Sequence, residues 1–134
     1  AGGTGAAKAG GNYASSLAGQ LEGIENGCDQ AVFLGSSTQT YIEELGGMNL
    51  FFVTRDNHLV TPELTGSILE GITRDSILEL APSLGLTPQE RRIPIQEWKD
   101  GEGGGEVTKA IRTALLDIQY GRAEDTHGWM TRLA

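Results

Sequence analysis

The chain has 134 residues, 20 of them Gly and four Pro, with ten Lys and Arg against 18 Asp and Glu and a formal charge of −8. That length supports one domain with a core, burying about 68% of the surface its unfolded form exposes, and excludes a second independent domain. With 38% apolar residues, no apolar run near the ~20 residues that span a bilayer and no cluster of Lys or Arg, the chain is expected to be soluble and globular. It is expected to be neither membrane-embedded nor a nucleic-acid binder, with a small ligand as its partner.

The opening Ala1-Gly2-Gly3-Thr4-Gly5 has no basic stretch followed by an apolar one, so no secretory signal is expected. Cys28 is the only cysteine, which rules out an intrachain disulfide and a cysteine-based zinc site. The expected compartment is the cytoplasm, and Cys28 itself reads as a small buried residue. Glycine is unevenly placed: seven fall in the first 23 residues and four more in 101–105.

Asn12 to Gly27 reads as a helix, with Asn12 as N-cap, Leu17, Leu21 and Ile24 on one face and Gly27 as the stop. Gln30 to Leu34 reads as a strand. Met48 to Val53 and His58 to Val60 suit a hairpin closed by Asp56-Asn57, which leaves His58 exposed beside the turn. Thr73 is placed as the N-cap of a second helix through Asp75, Ile77, Leu78 and Ala81, and Pro82 should kink or end it. Arg91 to Ile95 looks like a short strand and Gly101 to Gly105 like a linker or turn. Val107 to Tyr120 is a third helix, with Val107, Ile111, Leu115 and Ile118 along one face. This order of helices and strands indicates an α/β or α+β domain.

The glycines around Lys8 invite a phosphate-loop reading, but Gly3-Thr4-Gly5-Ala6-Ala7-Lys8 has neither Walker spacing nor the three-glycine dinucleotide fingerprint. What remains is one amine among residues small enough for a ligand to approach the backbone. Most lysines are solvated. A lysine that forms a Schiff base must instead have its ammonium pKa lowered from ~10.4, which needs a desolvated setting. His58 and His127 have too few companions for a metal site, and His127 is better placed to anchor the tail.

The segment Lys8-Ala9-Gly10-Gly11-Asn12-Tyr13 resembles the pyridoxal-phosphate lysine motif of the branched-chain-amino-acid aminotransferases, within the fold-type IV enzymes. The resemblance continues in Glu44-Leu45-Gly46-Gly47-Met48-Asn49-Leu50-Phe51, Leu69-Glu70-Gly71-Ile72-Thr73-Arg74, Gln119-Tyr120-Gly121 and His127-Gly128-Trp129-Met130. It implies the family's large domain, a mixed sheet or pseudo-barrel flanked by helices, here incomplete. It also implies transfer of an amino group between leucine, isoleucine or valine and 2-oxoglutarate. Under it, Lys8 holds pyridoxal 5'-phosphate and shuttles a proton, and Glu44 faces the pyridine nitrogen. Tyr13 hydrogen-bonds the 3' oxygen, Leu69 packs on the ring, and Ile72 and Thr73 hold the phosphate. A helix start at Thr73 agrees with that last role, since orphan N–H groups there attract anions. Related enzymes of the same fold, a D-amino-acid aminotransferase or an aminodeoxychorismate lyase, share the lysine and the acid. A noncatalytic remnant of the fold is the alternative from another class.

The family also implies a homodimer and a smaller N-terminal domain that supplies an arginine to the phosphate. By this resemblance, the 134 residues are expected to lack that domain, and also a strand and a phosphate-closing turn after Trp98-Lys99-Asp100, where this chain runs through 101–105 into its last helix. The losses converge on one ligand group. A phosphate carries close to two negative charges, against about half an opposing charge at a helix N-terminus. The purified 134-residue chain is therefore expected to have weak or no transaminase activity; robust turnover of leucine with 2-oxoglutarate would refute this.

Overall fold

The computed structural model describes residues 6, 7, 10–35, 37–100, 106–120 and 122–129, without the side chains of Asn12, Tyr13, Ser15 and 106–110. The chain opens on α1 (Gly10–Glu25), followed by β1 (Val32–Leu34), β2 (Ile42–Leu45), β3 (Phe52–Val53) and β4 (His58–Pro62). Helix α2 (Ile72–Leu80) runs into a 3-10 turn (Ala81–Leu84), then β5 (Thr87–Arg91), α3 (Ile95–Asp100) and α4 (Glu106–Gln119). The architecture is mixed α/β, as expected, with two small sheets and no closed barrel among the described residues. No helix among these residues is long and apolar enough to cross a membrane.

Helix α1 stops where Gly27 permits. With φ at 78°, Gly27 donates to Ile24 O at 2.9 Å and Cys28 donates to Gly23 O at 2.8 Å, the paired bonds of a Schellman cap. Asn12 does not cap the other end, because the helix already begins at Gly10. The expected apolar face does not face a core either: Leu17, Leu21 and Ile24 are 55–62% exposed. Cys28, expected to be buried, is exposed, because it lies just past the helix stop.

Strands β1 and β2 pair antiparallel, Phe33 opposite Glu44 and Leu34 opposite Ile42. Two steps on β2 thus match one on β1, a bulge that displaces Glu43 from the ladder. The second sheet has the order β3-β4-β5, with β3 antiparallel and β5 parallel to β4. The β3–β4 hairpin forms as expected, with Asn57 at φ 60° in its turn. His58 is less exposed than its place beside the turn suggested, with 29% of its side chain accessible and Nδ1 at 2.9 Å from Asp56 Oδ2.

The parallel β4–β5 pair needs a crossover, which α2 and the 3-10 turn supply. Pro82 sits in that turn, just beyond the end of α2, where its missing N–H is tolerated. The strand expected at Arg91 to Ile95 lies earlier, at Thr87–Arg91. Pro88 is accommodated because β5 is an edge strand. Beyond Arg91 the chain turns to the start of β2, with Ile42 donating to Ile93 O and Ile95 donating to Thr40 O, each at 2.9 Å. Ile95 then opens α3, whose Trp98 meets Phe52 edge-on at 5.3 Å.

Two apolar clusters hold these parts together. Leu59, Ala81, Leu86 and Ile111 form one, against Ile77 and Leu115. Ile42, Val60 and Ile93 form the other, against Val32, Leu34 and Phe52. The inward residues of α4 are the expected Ile111, Leu115 and Ile118; Val107 lies outside the described side chains. The tail returns to α2 through His127 Nδ1, 3.2 Å from Glu79 Oε1, with the imidazole stacked on Trp129, so His127 does anchor the tail. Leu59 is fully buried, so Leu59→Ala should cost about 2–5 kcal/mol in urea unfolding. Leu21→Gln on the exposed face of α1 should change the same measurement by less than about 0.5 kcal/mol.

Candidate functional site

The loop 63–71 between β4 and α2 gathers the segments that carry the sequence-derived candidates. Just before its midpoint, Ala6 donates its backbone N–H to Gly66 O at 3.2 Å. Lys8, two residues further along, lies outside the described residues. In the middle of the loop, Ser67 Oγ donates to Glu43 Oε1 at 2.8 Å. At its end, Asn49 Nδ2 donates to Leu69 O at 3.0 Å. One loop therefore touches the chain leading to Lys8, strand β2 and the β2–β3 connection.

Glu44 owes its direction to the bulge. Its cross-strand partner is Phe33, and opposed residues of an antiparallel pair share a face. That face meets α1, since a Cβ at Gly19 would lie 3.4 Å from the Phe33 ring. Leu34 and Ile42 turn the other way, into the core. Glu44 is half-buried, and its carboxyl pKa is raised from 4.5, first by desolvation and then by the negative charge of Glu43. A carboxyl in this position favours a ligand that brings a proton or a positive charge. Glu43, the displaced residue, is absorbed by Ser67 instead.

Ile72 and Thr73 open α2, but Thr73 is not its cap. Gly71 holds that position at φ 72° and ψ 114°, with no side-chain capping bond. The sequence misplaced the start because a positive-φ glycine can turn the chain into the helix without a hydroxyl cap. Thr73 becomes the second helical residue and is exposed; Ile72 is 89% exposed. The first helical bond is made by Asp75 N–H to Gly71 O at 3.2 Å, so the N–H groups before it have no helical acceptor and present partial positive charge to solvent. Leu69 is half-buried on the approach to this end. Tyr13 lies in the first turn of α1, with its phenol outside the described side chains.

Sequence reasoning missed what fixes this helix end. Arg74 is 5% exposed and donates through Nη2 to Pro62 O at 3.0 Å and Glu90 Oε2 at 2.6 Å, tying the first turn of α2 to the ends of β4 and β5. Its position directly after Ile72-Thr73 was the available signal. A separate groove of about 680 Å³ between α2, α4 and the tail, lined by Leu80, Asp117 and His127 among others, shares none of the candidate residues. No group of three or more His, Cys, Asp or Glu among the described residues could hold a metal ion.

Comparison with known proteins bears on this arrangement. Residues 4–103 match the family model described as amino-transferase class IV. The branched-chain-amino-acid aminotransferase of Mycobacterium tuberculosis is 47% identical over 171 aligned positions, covering 98% of this chain and 46% of that protein. The chain thus spans about half the length of the curated relatives it matches. An alignment of 171 positions against 134 residues leaves at least 37 positions of that relative without a counterpart here. Among solved structures, the Escherichia coli branched-chain amino acid aminotransferase superposes with a TM-score of 0.83 at 35% identity, over 96% of this chain and 50% of the other. The Thermobaculum terrenum enzyme in its PLP-bound holo form gives 0.81 at 28% identity, over 96% and 49%. By the extent of the family match, running from the segment before Lys8 through β5 and α3, this chain belongs to the class IV aminotransferases.

Proposed function

We propose that this chain carries the cofactor-binding portion of a branched-chain-amino-acid transaminase, which moves an amino group between leucine, isoleucine or valine and 2-oxoglutarate with pyridoxal 5'-phosphate bound at Lys8. The observation that carries the proposal is the pairing of two complementary features around one loop. A half-buried carboxyl with a raised pKa lies on β2, and a solvent-open helix N-terminus without a side-chain cap lies at Ile72 and Thr73. A protonated pyridine suits the first and a phosphate the second, so the residues present fit the cofactor.

When bound, the cofactor supplies an electron sink for the charge left on a substrate carbon that loses its proton. The rest falls to the protein. The Lys8 amine holds the cofactor and moves a proton at the substrate Cα, which requires that the amine be neutral part of the time. Glu44 keeps the ring nitrogen protonated; as it does so, the positive charge offsets the repulsion from Glu43. Ile72 and Thr73 offer N–H groups and a hydroxyl to the phosphate, Leu69 covers the ring, and Tyr13 donates to the 3' oxygen.

The 134 residues form one structural unit of the whole enzyme, and the glycine-rich run 101–105 is where the relatives' additional positions belong. The family match ending at residue 103 and the alignment longer than the chain support that junction. The complete protein adds the small N-terminal domain and acts as a cytoplasmic homodimer. Its partners are small amino and keto acids; neither nucleic acid nor membrane is among them.

Incubation of the purified chain with pyridoxal 5'-phosphate, followed by borohydride to make the lysine linkage permanent and by peptide mapping, should place the label on Lys8. Scattered labelling, or none, would leave the remnant reading. A second test uses Glu44. Because burial raises its folded-state pKa, stability is greatest with the carboxyl protonated and declines as pH rises from 4.5 through the raised value. Glu44→Gln should therefore raise the thermal midpoint at pH 8, with the gain vanishing at pH 4, while binding of pyridoxal 5'-phosphate weakens about 10- to 100-fold. A midpoint lowered at pH 8, or unchanged cofactor affinity, would contradict that role.

A further inference from the structure

We infer that Asn49 is a positioning residue that locks the N-terminus of α2 to the strand carrying Glu44 and so sets the spacing between the two ends of the site; the inference rests on the cofactor site proposed above.

Asn49 stands on a rigid base. It follows a tight turn in which Leu45 donates to Met48 O at 3.0 Å and Met48 donates back to Leu45 O at 2.9 Å, across Gly46 and Gly47 at positive φ. On its other side, Thr61 Oγ1 donates to Leu50 O at 2.7 Å, which fastens the next residue to β4. Four residues separate Asn49 from Glu44, and the turn leaves little slack between them.

The carboxamide reaches across to the entry of α2 with both of its polar atoms. Nδ2 donates to Leu69 O at 3.0 Å, and Oδ1 lies so close over Gly71 that a Cβ there would collide with it. Gly71 is therefore required twice, once by its φ of 72° and once by Asn49. Arg74 holds the first turn of the helix at Pro62 O. The direction of the Ile72 and Thr73 N–H groups is thus fixed from one side by β4 and from the other by Asn49. Neither Asn49 nor Gly71 needs to touch a ligand to decide where a phosphate would sit relative to Glu44.

A purely structural role for Asn49 would weaken any ligand of the site alike, whereas a positioning role acts on the phosphate end. The test is therefore titration with pyridoxal 5'-phosphate and, separately, with pyridoxal, which shares the ring and lacks the phosphate. Asn49→Ala should reduce the ratio of the two affinities about tenfold, the size of one lost hydrogen bond. Gly71→Ala, which leaves Asn49 intact and disturbs the same contact from the other side, should reduce it similarly. Circular dichroism identifies which variants remain folded. An unchanged ratio in a folded variant, with wild type preferring the phosphorylated ligand, overturns the inference alone. Wild type without that preference overturns the site reading and the inference with it.

Discussion

Strand β4 divides its side chains between two cores, Leu59 entering the cluster under α2 and α4 while Val60 enters the one under β1 and β2. Alternation along a strand makes this division inevitable once both faces are covered. Leu59, Val60 and Thr61 are each at most 1% exposed, so β4 cannot shift without disturbing both clusters. Everything around the candidate site is referenced to it: β3 and β5 pair with it, Thr61 holds Leu50, and the carbonyl of Pro62 receives Arg74. A nine-residue helix such as α2 has little stability alone. Its direction is accordingly a property of β4 and the contacts at either end.

The site then has two unsatisfied tendencies of opposite sign. The end of α2 carries partial positive charge with no side-chain cap, and Glu44 carries a carboxyl whose ionisation is opposed by burial and by Glu43. In a chain with a formal charge of −8, a free anion gains only local attraction from the helix end, because the surrounding field repels it. A ligand that joins an anionic group to a protonated ring answers both tendencies at once. This explains why the bulge in β2 matters: it separates Glu43, which Ser67 satisfies, from Glu44, which is left facing the α1 side.

The sequence was most informative where local chemistry decides the outcome. Gly27 ends α1 because the Schellman bonds require only nearby residues, and the hairpin turn at Asp56-Asn57 is equally local. The inward stripe of α4 also followed from spacing. Failures occurred where a distant partner decides. Thr73 looked like a cap until Gly71, held against Asn49, took the position. Arg91 to Ile95 looked like a strand, yet the ladder with β4 lies earlier, at Thr87–Arg91, and tolerates Pro88 at an edge. Glu44 was found through the family motif; its face depends on the register between two strands, which no short pattern encodes. The burial expected for Cys28 did not follow from residue type, nor did a packed face from the spacing in α1.

Arg74 shows why such a site is built with a buried charge at all. A buried ion pair adds little net stability, and an apolar residue of similar volume fills the space as well. An apolar residue would nonetheless leave α2 free to rotate about its axis, since dispersion contacts are non-directional. The guanidinium fixes two directions together, toward Pro62 O and toward Glu90. Glu90 remains half-exposed, which limits the desolvation cost to one partner of the pair. The interaction therefore contributes mainly orientation. Together with Gly85, whose turn bonds Leu86 back to Ala81, it makes a short helix a fixed pointer, and the direction of its exposed N–H groups follows from residues other than those that carry them.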